Sequence, residues 1–145
     1  MPTVKNIAGT ITTVLSTGLN SLANNSNVLS GAITLSSGEP GYRFGEWELY
    51  IASSAAAMTA NTAFVGWIIE ALDGTNDEDG GTSVTPARNP DLIFTVRPVA
   101  TAQRLKWISD MPTGSFKVLL RNDGTNQAIA SSGNTLKVRP RTESF

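Results

Sequence analysis

The stretch "YRFGEWELYIAS", residues 42–53, alternates apolar and polar side chains. Trp47, Leu49 and Ile51 fall on one face, and Glu46, Glu48 and Tyr50 on the other. Successive side chains of an extended chain point to opposite sides, so period two marks a strand with one face buried and one in water. The same text recurs to the C-terminus. Phe94 and Val96 alternate with Thr95 and Arg97, Leu105 and Trp107 with Lys106, Phe116, Val118 and Leu120 with Lys117 and Arg121, and Leu136 and Val138 with Lys137 and Arg139. "VLSGAITL", residues 28–35, is a shorter strand running into a Gly/Pro turn at 36–41. "AFVGWIIEALDGTN", residues 63–76, is apolar on both faces: Val65, Trp67 and Ile69 against Phe64, Ile68 and Leu72. A strand covered on both sides lies centrally or at an interface. Gly66 within it marks a bulge or a close approach.

Seven or so short strands, each bounded by Gly, Pro, Asn or Asp, predict an all-β antiparallel sandwich. The long connection at 73–90 suits a jelly roll better than a meander. "DGTN" occurs at 73–76 and again at 123–126, each time where a strand ends, so turn chemistry accounts for the repetition. The 145 residues form one domain that can bury a core. The division expected is an N-terminal arm at 1–26 and a sandwich at 27–145.

The arm's second half falls within the stretch "TVLSTGLNSLANNSNVLSGAITL" at 13–35, which has no charge and no aromatic residue. Leu15, Leu19 and Leu22 stand four and three apart, which predicts a short helix with Ser16 as its cap, ending near Asn24 and Asn25. Ordering two dozen residues costs more backbone entropy than burying Val14, Leu15, Leu19 and Leu22 returns. The arm is therefore expected to need a second surface, with these four side chains docking partly on another chain.

Composition narrows the function. Only 16% of residues are charged, against about 25% in an average domain. There is no Cys, hence no disulfide or thiolate metal site. There is no His, which removes the commonest general base and metal ligand. The net charge of −1 supplies no field for a nucleic-acid backbone. No apolar run is long enough to span a bilayer, and the first residues, with Lys5 as their only charge, do not read as a signal peptide. The charges divide unevenly: eight acids and two bases over 1–80, four acids and nine bases over 81–145. Either unlike charges meet on neighbouring strands or they orient contacts between subunits; the first reading is the simpler.

Few residues offer chemistry. Glu46 and Glu48 point the same way, as two glycosidase carboxyls must, but a solvated strand face explains them as well. Asp73, Asp77, Glu78 and Asp79 crowd one loop, yet aligning Gly80 with the EF-hand glycine puts Thr75 first and Pro86 last, so that calcium pattern is not met. Serines have no His partner, and no Walker A loop or dinucleotide fingerprint occurs. Trp47, Trp67 and Trp107 sit in apolar registers and read as core. Lys137, Arg139 and Arg141 share a face of the last strand. They either touch acidic groups on a partner or protect an edge strand, helped by Pro140. These readings point away from an enzyme, with no cofactor, and toward binding or assembly.

Three stretches carry a resemblance: "LSTGLNSLANNSNVLSGAI" at 15–33, "ALDGTNDEDGG" at 71–81 and "GSFKVLLRNDGTNQAIASSGNTLKVRPRTESF" at 114–145. Together they resemble the jelly-roll capsid decoration, or cement, proteins of tailed bacteriophages, the closing hairpin most specifically. The acidic loop departs from that pattern in carrying more carboxylates. The resemblance implies a virion protein on the outer surface of the capsid. It would bridge neighbouring major capsid protein subunits as a homodimer or homotrimer and resist the pressure of packaged DNA. It implies no nucleic-acid, membrane or small-molecule partner. The competing expectation is a receptor- or carbohydrate-binding sandwich on a tail or fibre, with Tyr42 and Tyr50 as its aromatic platform.

Overall fold

A computed structural model describes residues 5–35, 42–112 and 114–144. The Gly/Pro turn read at 36–41 and the first four residues of the arm lie outside them. Nine strands follow in order: β1 Lys5–Ala8, β2 Thr12–Leu15, β3 Asn27–Leu29, β4 Phe44–Ile51, β5 Ala63–Ile69, β6 Leu92–Thr95, β7 Gln103–Asp110, β8 Lys117–Asp123 and β9 Thr135–Ser144. One sheet runs β1-β9-β4-β7, with β2 also paired to β9; the other runs β3-β8-β5-β6. All pairings are antiparallel. From β2 onward the chain changes sheets at every connection except the β5–β6 hairpin. That is a jelly roll, and the all-β sandwich read from the alternation is what the chain forms.

The core lies between the sheets. Trp47, Leu49 and Ile51 face Phe64, Ile68, Phe94, Val118 and Leu120, all buried. Trp47 meets the Phe116 ring edge-on, centroids 6.4 Å apart, and its indole N–H donates to Ser109 Oγ at 2.8 Å, so the one polar atom of the largest core residue is satisfied. Gly66 is not a bulge: β5 pairs with β6 and β8 in unbroken register through it. A Cβ there would lie 3.1 Å from Leu92 Cδ1, so the glycine serves close packing.

Part of the outer face of the β3-β8-β5-β6 sheet is also buried. Trp67, Ile69 and Leu119 form a second apolar cluster there. What covers it is the chain's own 70–91 connection, the polar loop of the sequence. Trp67 Nε1 donates to the Arg88 carbonyl at 3.0 Å, and Arg88 Nη2 donates to the Ile68 carbonyl at 2.9 Å. The Ile68 N–H donates at 2.7 Å to Oδ2 of Asp91, the residue just before β6. The two-sided strand is thus central and not an interface. Leu72, expected to face inward with Ile68, lies beyond the end of β5 and is fully exposed.

The arm is where the reading has to be corrected. Residues 5–26 are not a separate piece. β1 and β2 lie end to end along β9, and the expected helix is one 3-10 turn, Thr17–Leu19, whose Ser16 makes no side-chain cap. Leu15 ends a strand instead of starting a helical stripe. Val14, Leu15, Leu19 and Leu22 are 8%, 6%, 0% and 7% exposed, in the main core of this same chain. They are not free to dock on another chain. Residues 20–25 are tied to the 122–134 connection through the backbone and asparagine side chains. The Ser21 N–H donates to the Ala130 carbonyl and the Asn25 N–H to the Asn122 carbonyl. The side chain of Asn122 donates to the Leu22 carbonyl, that of Asn134 to Asn20 Oδ1. Asn24 and Asn25 accept from the N–H groups of Asn126 and Gly124.

β9 is also not an edge. It lies between β1/β2 and β4, and Pro140 is tolerated inside the sheet for a local reason. Its carbonyl accepts from the Gly9 N–H, so its missing N–H would point to the same side, where the chain steps away between Ala8 and Thr12. The one bond forgone lies where the ladder is already interrupted. Gly9 makes the step possible, since a Cβ there would sit 2.6 Å from Tyr42 Oη and 2.7 Å from Pro140 Cγ.

Candidate functional site

The sheet of β2, β9, β4 and β7 presents one face to the core and the other to solvent. On the solvent face β4 contributes Glu46, Glu48 and Tyr50. β9 contributes Lys137, Arg139 and Arg141, and β7 contributes Arg104, Lys106, Ile108 and Asp110. Register decides which charges meet, because directly opposed residues are neighbours. Glu46 stands opposite Arg139 and Glu48 opposite both Lys137 and Lys106.

Most of the charge is matched within the face. Arg139 Nη2 lies 2.6 Å from Glu46 Oε2. Arg141 Nε is 3.0 Å from Glu46 Oε1, but its N–H is not aimed at that oxygen, so this is a charge contact without a hydrogen bond. Arg104 Nη1 donates to Glu48 Oε1 at 2.9 Å and its guanidinium lies over the Tyr50 ring, 4.3 Å from the centroid. Of the three basic residues singled out on the last strand, Arg139 and Arg141 are therefore held by Glu46, and only Lys137 is without an ion pair among the described residues. Glu46 and Glu48 are clamped by arginines, the arrangement of a structural charge ladder and not of a free acid–base pair. Tyr50, proposed as a sugar platform, has its ring face occupied by Arg104, and Tyr42 is packed against Gly9.

Two residues that the sequence reading passed over complete the surface. Ile11 and Ile108 are 58% and 66% exposed. With Lys106, Lys137, Glu46 and Glu48 they line a groove of about 370 Å³. The signal for Ile108 was present: "KWISD" places two large apolar residues side by side, so one of them must leave the core face. A groove with apolar ends and unmatched ammonium groups suits an acidic protein surface with some exposed aliphatic side chains.

The acidic loop carries charge inward. Lys117 Nζ lies 2.6 Å from Asp77 Oδ2, and Arg88 binds Glu78 at 2.5 Å and Asp91 at 2.8 Å. Hydrogen bonds that Arg88 donates to Glu78, above all, hold its guanidinium firmly protonated. Asp73 accepts from the N–H groups of Thr75 and Asn76. Bonds from the Asn76 backbone and side chain, then from Thr75, lower its pKa to about 2. No cluster of three or more acidic groups fit for a metal occurs among the described residues. Among the described residues, five of seven ion pairs join an acid from 1–80 to a base from 81–145, so the uneven charge split is largely satisfied inside one chain. No described helix is long and apolar enough to cross a membrane.

A scan against known protein families, a search of curated proteins and a search of solved structures each return no match to this chain.

Proposed function

We propose that this protein is a non-catalytic virion component that decorates and cements the outer surface of a tailed-phage capsid. It would hold to acidic surface on neighbouring major capsid protein subunits. The observation that carries the reading is the solvent face of the β2-β9-β4-β7 sheet. It is broad and regular, with Lys137 unmatched next to exposed Ile11. Two further points support it. The stretch that most resembles the decoration proteins, 114–145, supplies β8 and β9, an inner strand of each sheet. The carboxylates a hydrolase would need are bound to arginines.

Val14, Leu15, Leu19 and Leu22, buried in the core, have no part in this attachment; the sheet face, with Ile11 at its margin, takes that role. Many weak contacts of this kind add on a repeating lattice through effective concentration. The test is co-sedimentation with intact particles lacking the protein. The wild type is expected to pellet in a fixed ratio to the shell subunit, and an Ile11→Asp, Lys137→Glu variant to stay in the supernatant with an unchanged melting temperature. A wild type that never pellets with particles ends the reading.

A further inference from the structure

Four sheet edges are open to a second chain, and three are poor templates. β3 has three residues, β6 has four, and the β1/β2 edge is broken at residues 9–11. β7 is different. It has eight residues without Gly or Pro, paired to β4 in continuous register from Phe44↔Asp110 to Ile51↔Gln103. It lacks the bulge, proline or shortness by which natural edges are usually blunted.

The direction of its free bonds follows from one contact. The Met111 N–H donates to the Arg43 carbonyl at 3.0 Å, so odd-numbered residues of β7 bond to β4. The backbone groups of Arg104, Lys106, Ile108 and Asp110 face away from the sheet. Among the described residues, no hydrogen bond reaches the backbone of Arg104, Lys106 or Ile108 from any other element. The side chains of the same four residues lie on the solvent face.

We propose that this edge pairs with its own copy, antiparallel about a two-fold axis through Ile108. The sequence is complementary to itself in that register. Ile108 faces Ile108 of the second copy, and Lys106 faces Asp110 of the second copy on either side. Lys106 and Asp110 are without ion pairs among the described residues, and Ile108 is two-thirds exposed, so the pairing matches three side chains that the isolated chain leaves unmatched. A register centred on Trp107 would set Arg104 against Asp110 and Lys106 against Ile108. It is disfavoured because Arg104 is already bound to Glu48 and stacked on Tyr50. About six backbone hydrogen bonds form in the favoured register. Lysine on an edge usually repels a second strand; here each lysine meets a carboxylate. A contact made by one strand from each chain belongs with the small interfaces, where weak and transient associations are found. It would join two solvent faces into one continuous sheet with two copies of the Ile11–Lys137 patch. This inference stands on the edge alone and does not depend on what the face binds.

Sedimentation equilibrium tests it. The wild type is expected to reach twice the chain mass at micromolar concentrations. Ile108→Pro removes an N–H that the single chain does not use, so it should melt like the wild type yet remain monomeric. Lys106→Asp and Asp110→Lys should each weaken the dimer at least tenfold, and the double variant should restore it. A wild type that stays monomeric across that range, or an oligomer indifferent to Ile108→Pro and to the charge exchange, overturns the proposal.

Discussion

Asn122 is an amide in the core side of β8, and it is fully buried. Its side chain donates to the Leu22 carbonyl at 3.1 Å and to the Gln127 carbonyl at 2.8 Å, and accepts from Thr125 Oγ1. A leucine would suit the alternation there but would take one donor from each of two carbonyls, leaving that of Leu22 with the Ile129 N–H at 3.3 Å and that of Gln127 with the Thr125 hydroxyl at 3.2 Å. Hydrogen bonds lost in this way cost about 0.5–1.5 kcal/mol each. The asparagines of 20–25 and of 122–134 thus tie the same two segments together, legible as composition and not as contact, because which asparagine meets which is set by tertiary approach. Asp73 shows how one side chain sets a pH response. Its pKa, lowered to about 2, means that folding favours its charged form. The order it gives the 73–76 turn is fully present above the ordinary carboxylate value of 3.8, and is lost as pH falls through about 2. An NMR titration of the Asp73 carboxyl is expected to show a midpoint near 2. Asn76→Ala, which removes one of the bonds, should move that midpoint upward; an unmoved midpoint would mean that the side-chain bond plays no part.

At the scale of elements, strands were readable and coverings were not. β4 alternates without a break, and its burial follows the sequence residue by residue. β5 announced a second covered face through Trp67 and Ile69. What covers it was hidden, since the covering loop is polar and docks through a few groups, chiefly Arg88. Those groups give a prediction. Arg88→Met should lower stability by about 1–2 kcal/mol, mostly through the Ile68 carbonyl bond, because half-exposed ion pairs contribute little. Hydrogen exchange should quicken first across 70–91 and at Trp67, with β4 and β9 unchanged. Uniform quickening over both sheets would show that the loop is part of the global unfolding unit and not a docked cover.

For the whole molecule, the arm tests how an entropy argument is framed. Backbone entropy weighed against a segment's own side chains always tells against the segment, because the segment also buries the surface it lies on and completes ladders begun elsewhere. β9 without β1 and β2 would be an open edge, and the core without Leu15, Leu19 and Leu22 would lose three buried side chains worth about 2–5 kcal/mol each as alanines. Folded domains are stable by only about 5–15 kcal/mol. Removing residues 2–26 is therefore expected to abolish the cooperative thermal transition seen by circular dichroism, and with it every form of binding. Loss of particle attachment in such a truncation would say nothing about docking. The sheet-face variants Ile11→Asp and Lys137→Glu, which alter no buried residue, separate attachment from folding. A truncated chain that kept the wild-type melting temperature would show instead that residues 2–26 are held by something other than this core.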